Sequence, residues 1–88
     1  MGTITLKNGK SFDTDMCLPI GTDALTITVF GKTMNQAVTL LNSSKNTEEF
    51  VYASDNGHTE TFRGYVELSF LLREGDHLRI ELRKGVTA

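Results

Sequence analysis

Tryptophan is absent, and cysteine and proline occur once each. No apolar run approaches the roughly 20 residues that a membrane-spanning helix needs. With Cys17 as its one thiol the chain can form no internal disulfide, so its stability must come from packing, and a reducing compartment suits it. The amino-terminal Met-Gly-Thr-Ile-Thr-Leu-Lys lacks the apolar stretch of a secretory signal. A basic surplus is missing as well. Nine Lys and Arg stand against eleven Asp and Glu, a formal net charge of −2, so there is no electrostatic footprint for nucleic acid. The most basic stretch, Arg73, Arg79, Arg83 and Lys84, is interleaved with Glu74, Asp76 and Glu81 and reads as a solvated strand face. These absences predict a cytoplasmic protein, unless it leaves the cell as part of a larger particle, with neither nucleic acid nor membrane as partner.

Catalytic and metal-binding signatures are equally scarce. Cys17 sits in Asp15-Met16-Cys17-Leu18-Pro19 with no neighbouring base, and reads as a small buried hydrophobe. His58 and Glu60 share a strand face beside Asp55, but a closed metal site wants about four ligands, and His77 is distant in sequence. Glu48 and Glu49 are adjacent on a strand and so point to opposite faces, which makes a poor acid/base couple. Asp13-Thr14-Asp15 lacks the downstream Gly and bidentate Glu of a calcium loop. Gly31-Lys32-Thr33 resembles the end of a phosphate-binding loop, yet the first glycine of that motif would fall at Thr26, inside a strand. The sequence thus predicts no catalytic, metal or cofactor-binding residue and no small-molecule ligand.

What is present is period-2 alternation. A chain of 88 residues allows one domain, residues 1–88, with a single core. Three turns carry the same device, a glycine closing a short polar loop. Lys7-Asn8-Gly9 sets Ile4 opposite Phe12, and Asp55-Asn56-Gly57 sets Phe50 opposite Phe62. Arg73-Glu74-Gly75 sets Phe70 opposite Leu78, Leu68 opposite Ile80 and Val66 opposite Leu82. A rival third loop, Glu74-Gly75-Asp76, would pair Glu67 with Arg83. Residues 13–23, with the one proline, read as an irregular connection. Leu25, Ile27 and Val29 mark a strand. Thr33 and Gln36 form a capping-box pattern, ahead of an apolar stripe at Met34, Ala37, Val38 and Leu41. Asn42-Ser43-Ser44-Lys45-Asn46 supplies the stop. The expected fold is α+β: a mainly antiparallel sheet of about six strands with three hairpin-type turns and one short helix packed on one face. One helix would not cover six strands, so part of the sheet must curl over or meet another chain.

Outward apolar residues point to that second possibility. With Val66, Leu68, Phe70 and Leu72 facing in, Tyr65 and Leu71 face out, and Phe30 opposes the inward set of its own strand. Tyr65, Leu71 and Phe30 are therefore the candidate interface residues.

The order of these motifs adds a setting. Leu25-Thr26-Ile27-Thr28-Val29 leads to a helix ending in Leu40-Leu41-Asn42. Asn46-Thr47-Glu48, a strand, an Asp-Asn-Gly turn, Gly64-Tyr65 and the closing Leu78-Arg79-Ile80-Glu81-Leu82-Arg83-Lys84 follow. This resembles small proteins encoded among the tail and baseplate genes of phages and prophages of Gram-positive bacteria, over about residues 24 to 84. The resemblance carries no site residue across. It implies a non-enzymatic structural or assembly protein of a phage-like particle, acting through self-association or a protein partner. The alternatives are a cellular adaptor that binds a peptide by strand addition, and a small enzyme or metal-binding domain using Cys17, His58 or His77.

Overall fold

The computed structural model describes residues 2–42 and 44–85. Eight strands and two short helices follow in order: β1 Gly2–Leu6, β2 Ser11–Thr14, β3 Met16–Ile20, β4 Ala24–Phe30, α1 Thr33–Leu41, α2 Ser44–Thr47, β5 Glu49–Ser54, β6 Thr59–Arg63, β7 Glu67–Glu74 and β8 His77–Arg83. They form two four-stranded sheets, ordered β2-β1-β5-β6 and β3-β4-β8-β7, and every strand pair is antiparallel. The α+β reading stands, but eight strands in two sheets replace the expected six. Of the two ways to cover the sheet, the chain supplies one itself, as a second sheet. Inward residues of both sheets and of α1 form one buried cluster, including Ile4, Phe12, Phe50, Leu25, Ile27, Ile80, Ala37 and Leu41. No helix among the described residues is long and apolar enough to cross a membrane.

Two hairpins have the expected registers. Ile4 lies opposite Phe12, and Phe50 opposite Phe62 with ring centroids 5.5 Å apart. Both loops close on a glycine at φ +87°, Gly9 and Gly57, a conformation that costs a residue with a Cβ about 1–2 kcal/mol. In each, the preceding Asn accepts a backbone N–H with its side chain: Asn8 from Lys10 and Asn56 from His58.

The third hairpin differs. Glu74 pairs with His77, so the loop is the two residues Gly75-Asp76. Gly75 takes φ +62° while Asp76 stays negative, the sign pattern of a type II′ turn, whose twist matches that of the flanking strands. A bulge between Leu68 and Phe70 leaves Ser69 unpaired. Below it Glu67 faces Arg83 and Leu68 faces Leu82; above it Leu71 faces Ile80 and Arg73 faces Leu78. Because the side-chain period is two, this one extra residue reverses the strand's faces. Phe70 and Leu72, expected inside, therefore point out, opposite Glu81 and Arg79.

Residues 13–23 are not an irregular connection. Met16–Ile20 pairs along its length with β4, with Cys17 opposite Ile27. Pro19 is tolerated because β3 is an edge strand and needs donors on one side only. The chain turns from the first sheet into the second at Asp15. There the Thr28 carbonyl accepts the Thr14 hydroxyl at 2.7 Å and the Asp15 amide at 2.8 Å. A second crossing joins β6 to β7 through Gly64, at φ +84°. The Gly64 amide donates to Glu48 O at 2.9 Å, and its carbonyl accepts from Gly85 N at 3.0 Å.

The helix has its expected span and buries Ala37, Leu40 and Leu41, with Met34 and Val38 packed against the core. The capping box does not form. Lys32 occupies the N-cap without a side-chain cap, and Gln36 donates instead to the Ser11 carbonyl at 3.1 Å. Asn42 is the C-cap, and Ser44–Thr47 add one further helical turn; Ser43, part of the expected stop, lies outside the described residues. The two helices carry the chain from β4 in one sheet to β5 in the other, so no parallel pair is required.

Thr14 is only 2% exposed and its hydroxyl bonds at the sheet crossing. Thr14→Val keeps the shape and removes that bond, and we expect it to cost about 1 kcal/mol. In thermal unfolding this reads as a fall of about 4–8 °C in Tm for a domain of this size. An unchanged Tm would show that the Asp15 amide alone holds the crossing.

Candidate interaction face on the second sheet

Directly opposed residues of an antiparallel pair share a face, so the registers of the second sheet define its two surfaces as rows. On the inner side run Cys17–Ile27–Ile80–Leu71 and Pro19–Leu25–Leu82–Leu68. On the outer side run Met16–Thr28–Arg79–Leu72, Leu18–Thr26–Glu81–Phe70 and Ile20–Ala24–Arg83–Glu67, with Phe30–His77–Glu74 at one end. The outer surface is thus apolar along both margins and polar through the middle.

Six large apolar side chains are exposed among the described residues: Leu18 (51%), Ile20 (50%), Phe30 (44%), Phe70 (43%), Leu71 (42%) and Leu72 (37%). All but Leu71 lie on the outer surface. On its β3 side they border a groove of about 470 Å³. Thr26 and Thr28, each 8% exposed, form its floor. Met16, Leu18 and Ile20 form one wall, and Phe30, His77 and Arg79 the other. Phe30 and His77 are held ring to ring, centroids 5.5 Å apart at 57°. Four of the charged groups on this surface are paired. Arg79 Nη2 lies 3.8 Å from Glu74 Oε1, and Arg83 Nε 3.3 Å from Glu81 Oε2. Such exposed pairs contribute little to stability, but they leave the surface without a dominant sign.

The three expected interface residues have separate fates. Phe30 is exposed on the outer surface. Leu71 is exposed too, but on the core-facing side, at the uncovered edge of β7. Tyr65 is not outward: it is 7% exposed, its ring set edge-on to Phe62 at 5.9 Å and 81°, with Lys84 Nζ 5.4 Å from its centroid. Tyr65 precedes β7, in the crossing that Gly64 redirects, so strand alternation does not govern it. Leu18 and Ile20 were missed because Pro19 disguised their strand, and Phe70 and Leu72 because the bulge reversed their face.

The reactive side chains do not assemble. Cys17 and His77 lie on opposite surfaces of the second sheet, and His58 follows the β5–β6 turn in the first sheet. Among the described residues no group of three or more His, Cys, Asp or Glu is arranged to hold a metal ion. Burial, and then the Glu60 carboxylate, push the Cys17 thiol up to about 12. Burial also raises Tyr52, followed by Cys17, Asp55 and Asp15.

Comparison with protein-family models, curated proteins and solved structures finds no match to this chain.

Cys17 should be nearly inert in the folded protein. Raised from 9.0 to about 12, it carries about 10³-fold less thiolate at neutral pH than an ordinary cysteine, and thiolate is the reactive form. Labelling by a maleimide at pH 7 should therefore be at least ~100-fold slower in buffer than in urea; equal rates would mean an open site. The same shift makes stability pH-dependent. The unfolded thiol ionises above about 9 while the folded one keeps its proton, so this contribution is complete below that pH and declines toward 12. The decline approaches about 1.4 kcal/mol per pH unit, and Cys17→Ala should flatten it in a comparison of Tm against pH.

Proposed function

We propose that the protein is a non-enzymatic assembly module that docks another protein on the outer face of its second sheet, as a structural component of a phage-like tail or baseplate. The observation that carries this reading is the gathering of Leu18, Ile20, Phe30, Phe70 and Leu72 on one sheet face. Exposed apolar residues gathered on one face, here along its two margins, are characteristic of protein contact sites. The internally paired charges favour a partner surface that is itself apolar and close to neutral. The motif order, with its resemblance to small tail-associated proteins, supplies the setting. An adaptor that takes a peptide by strand addition is the second reading, favoured by the free edge of β7 beside exposed apolar residues.

Pairwise co-purification with the product of each neighbouring gene tests the proposal. At least one product should be retained by the wild-type protein. Leu18→Lys and Ile20→Lys, both at exposed positions, should weaken that retention at least ~10-fold, because each buries an ammonium in an apolar contact. Retention untouched by both substitutions, or no retained product at all, would remove the basis for the docking face.

A further inference from the structure

Among the described residues each sheet ends in two edge strands, and an unpaired edge invites another strand unless something blocks it. Three of the four are defended. The β2 edge has four residues and carries Asp13, and β3 contains Pro19. The β6 edge, Thr-Glu-Thr-Phe-Arg, presents Glu60 and Arg63. The β7 edge is different: it runs for eight residues and exposes three consecutive large apolar side chains, Phe70, Leu71 and Leu72. Leu71 is the telling one. It stands in the row of Ile80, Ile27 and Cys17, all at most 5% exposed, yet is itself 42% exposed. Among the described residues of the second sheet it is the one large core-facing aliphatic left this open.

We propose that β7 pairs with β7 of a second copy of this chain, antiparallel and edge to edge, with Leu71 on the two-fold axis. A two-fold axis perpendicular to a sheet keeps inner faces with inner faces, so residues brought opposite must already share a face. That condition, together with apolar matching of the residues nearest the axis, selects the register. With Leu71 on the axis, Phe70 meets Leu72 of the second copy on the outer face, and the two Leu71 side chains cover each other on the inner face. Arg73 falls opposite the bulged Ser69, so no like charges meet there, while beyond the bulge Leu68 and Glu74 lie on opposite faces, which confines the matched pairing to Phe70, Leu71 and Leu72. With Phe70 on the axis, Leu71 would meet the bulged Ser69 and keep no apolar partner on the inner face. With Leu72 on the axis, Leu71 would meet Arg73 and Phe70 would meet Glu74. One register therefore joins apolar to apolar on both faces, and the resulting dimer carries one continuous eight-stranded sheet. This pairing uses the edge of the sheet and does not depend on what docks against its outer face.

Light scattering after size-exclusion chromatography, from micromolar to millimolar protein, should show the 9.7 kDa chain passing to twice that mass. Leu71→Lys sets two ammonium groups against each other on the axis and should raise the dissociation constant at least ~100-fold. Leu71→Cys supplies a readout that does not depend on affinity. Opposed residues in an antiparallel pair have Cα atoms about 4.5–5.5 Å apart, within disulfide reach, so oxidised glutathione should convert this variant to a covalent dimer. Leu18→Cys, on the opposite edge strand of the same sheet, should remain a monomer on a non-reducing gel, and loss of docking by Leu18→Lys should leave the solution mass unchanged. A wild-type monomer at every concentration would give the edge to a foreign strand and overturn the proposal. A dimer that Leu71→Lys does not weaken, or that Leu71→Cys cannot cross-link, would overturn it too.

Discussion

The carbonyl of Thr28 is the point on which the architecture turns. It accepts the Thr14 hydroxyl and the Asp15 amide where the chain leaves the first sheet for the second. That corner ends β2 and starts β3, which then pairs along its length with β4. The corner lets a strand contribute Phe12 to one layer and Cys17 to the other, both buried in the same core. Sheets joined by strands that bend between them close a core with little additional chain. That economy matters in a domain of 88 residues, where only about 60–65% of the unfolded surface can be hidden. The Gly64 crossing is the counterpart between β6 and β7, with Tyr65 buried beside it against Phe62.

How much of this could be read from the residues follows from how local each determinant is. The first two hairpins were legible because loop length, the glycine at positive φ and the hydrophobic alternation of both strands agreed. The helix was legible from its stripe, although Gln36 satisfied the Ser11 carbonyl in a neighbouring strand rather than the cap of its own helix. The third hairpin was misread at one residue. Alternation through Val66, Leu68, Phe70 and Leu72 was intact in the sequence, and only the II′ turn with its compensating bulge at Ser69 changed which half of it faced inward. The strand around Pro19 was hidden for a different reason. Proline is rightly a breaker inside a sheet, and nothing local says that this strand lies at an edge. The errors therefore fell on the candidate site: its residues are legible only after the pairing partners are known.

The same two corrections explain the chemistry of the surface. Cys17 and His77, which as letters invite a thiol and imidazole reading, are separated by the thickness of a sheet. The thiol faces the core, where burial holds its proton; the imidazole lies against Phe30 and serves as one wall of a shallow groove. Threonines on the floor of that groove offer small polar surface between apolar margins, and the arginines beside them are already engaged by Glu74 and Glu81. Such a surface has shape and hydrophobicity to offer a partner, and little net charge with which to steer one.

Edges complete the account, because a sheet protein that exposes one must either blunt it or use it. Shortness, a proline and charged side chains blunt three of the four here. The β7 edge carries a bulge, which is also a way of turning an edge from company, but Ser69 lies near the start of the strand and the five residues after it are regularly paired with β8. The bulge has a second effect: by reversing the faces beyond it, it moves Phe70 and Leu72 to the outer margin and leaves Leu71 facing an uncovered part of the core. A bulge that only guarded the edge would gain nothing by setting three apolar side chains in a row there. Placed where it is, the extra residue instead makes both faces of the strand apolar at the same height, which is the condition for a like strand to fit beside it.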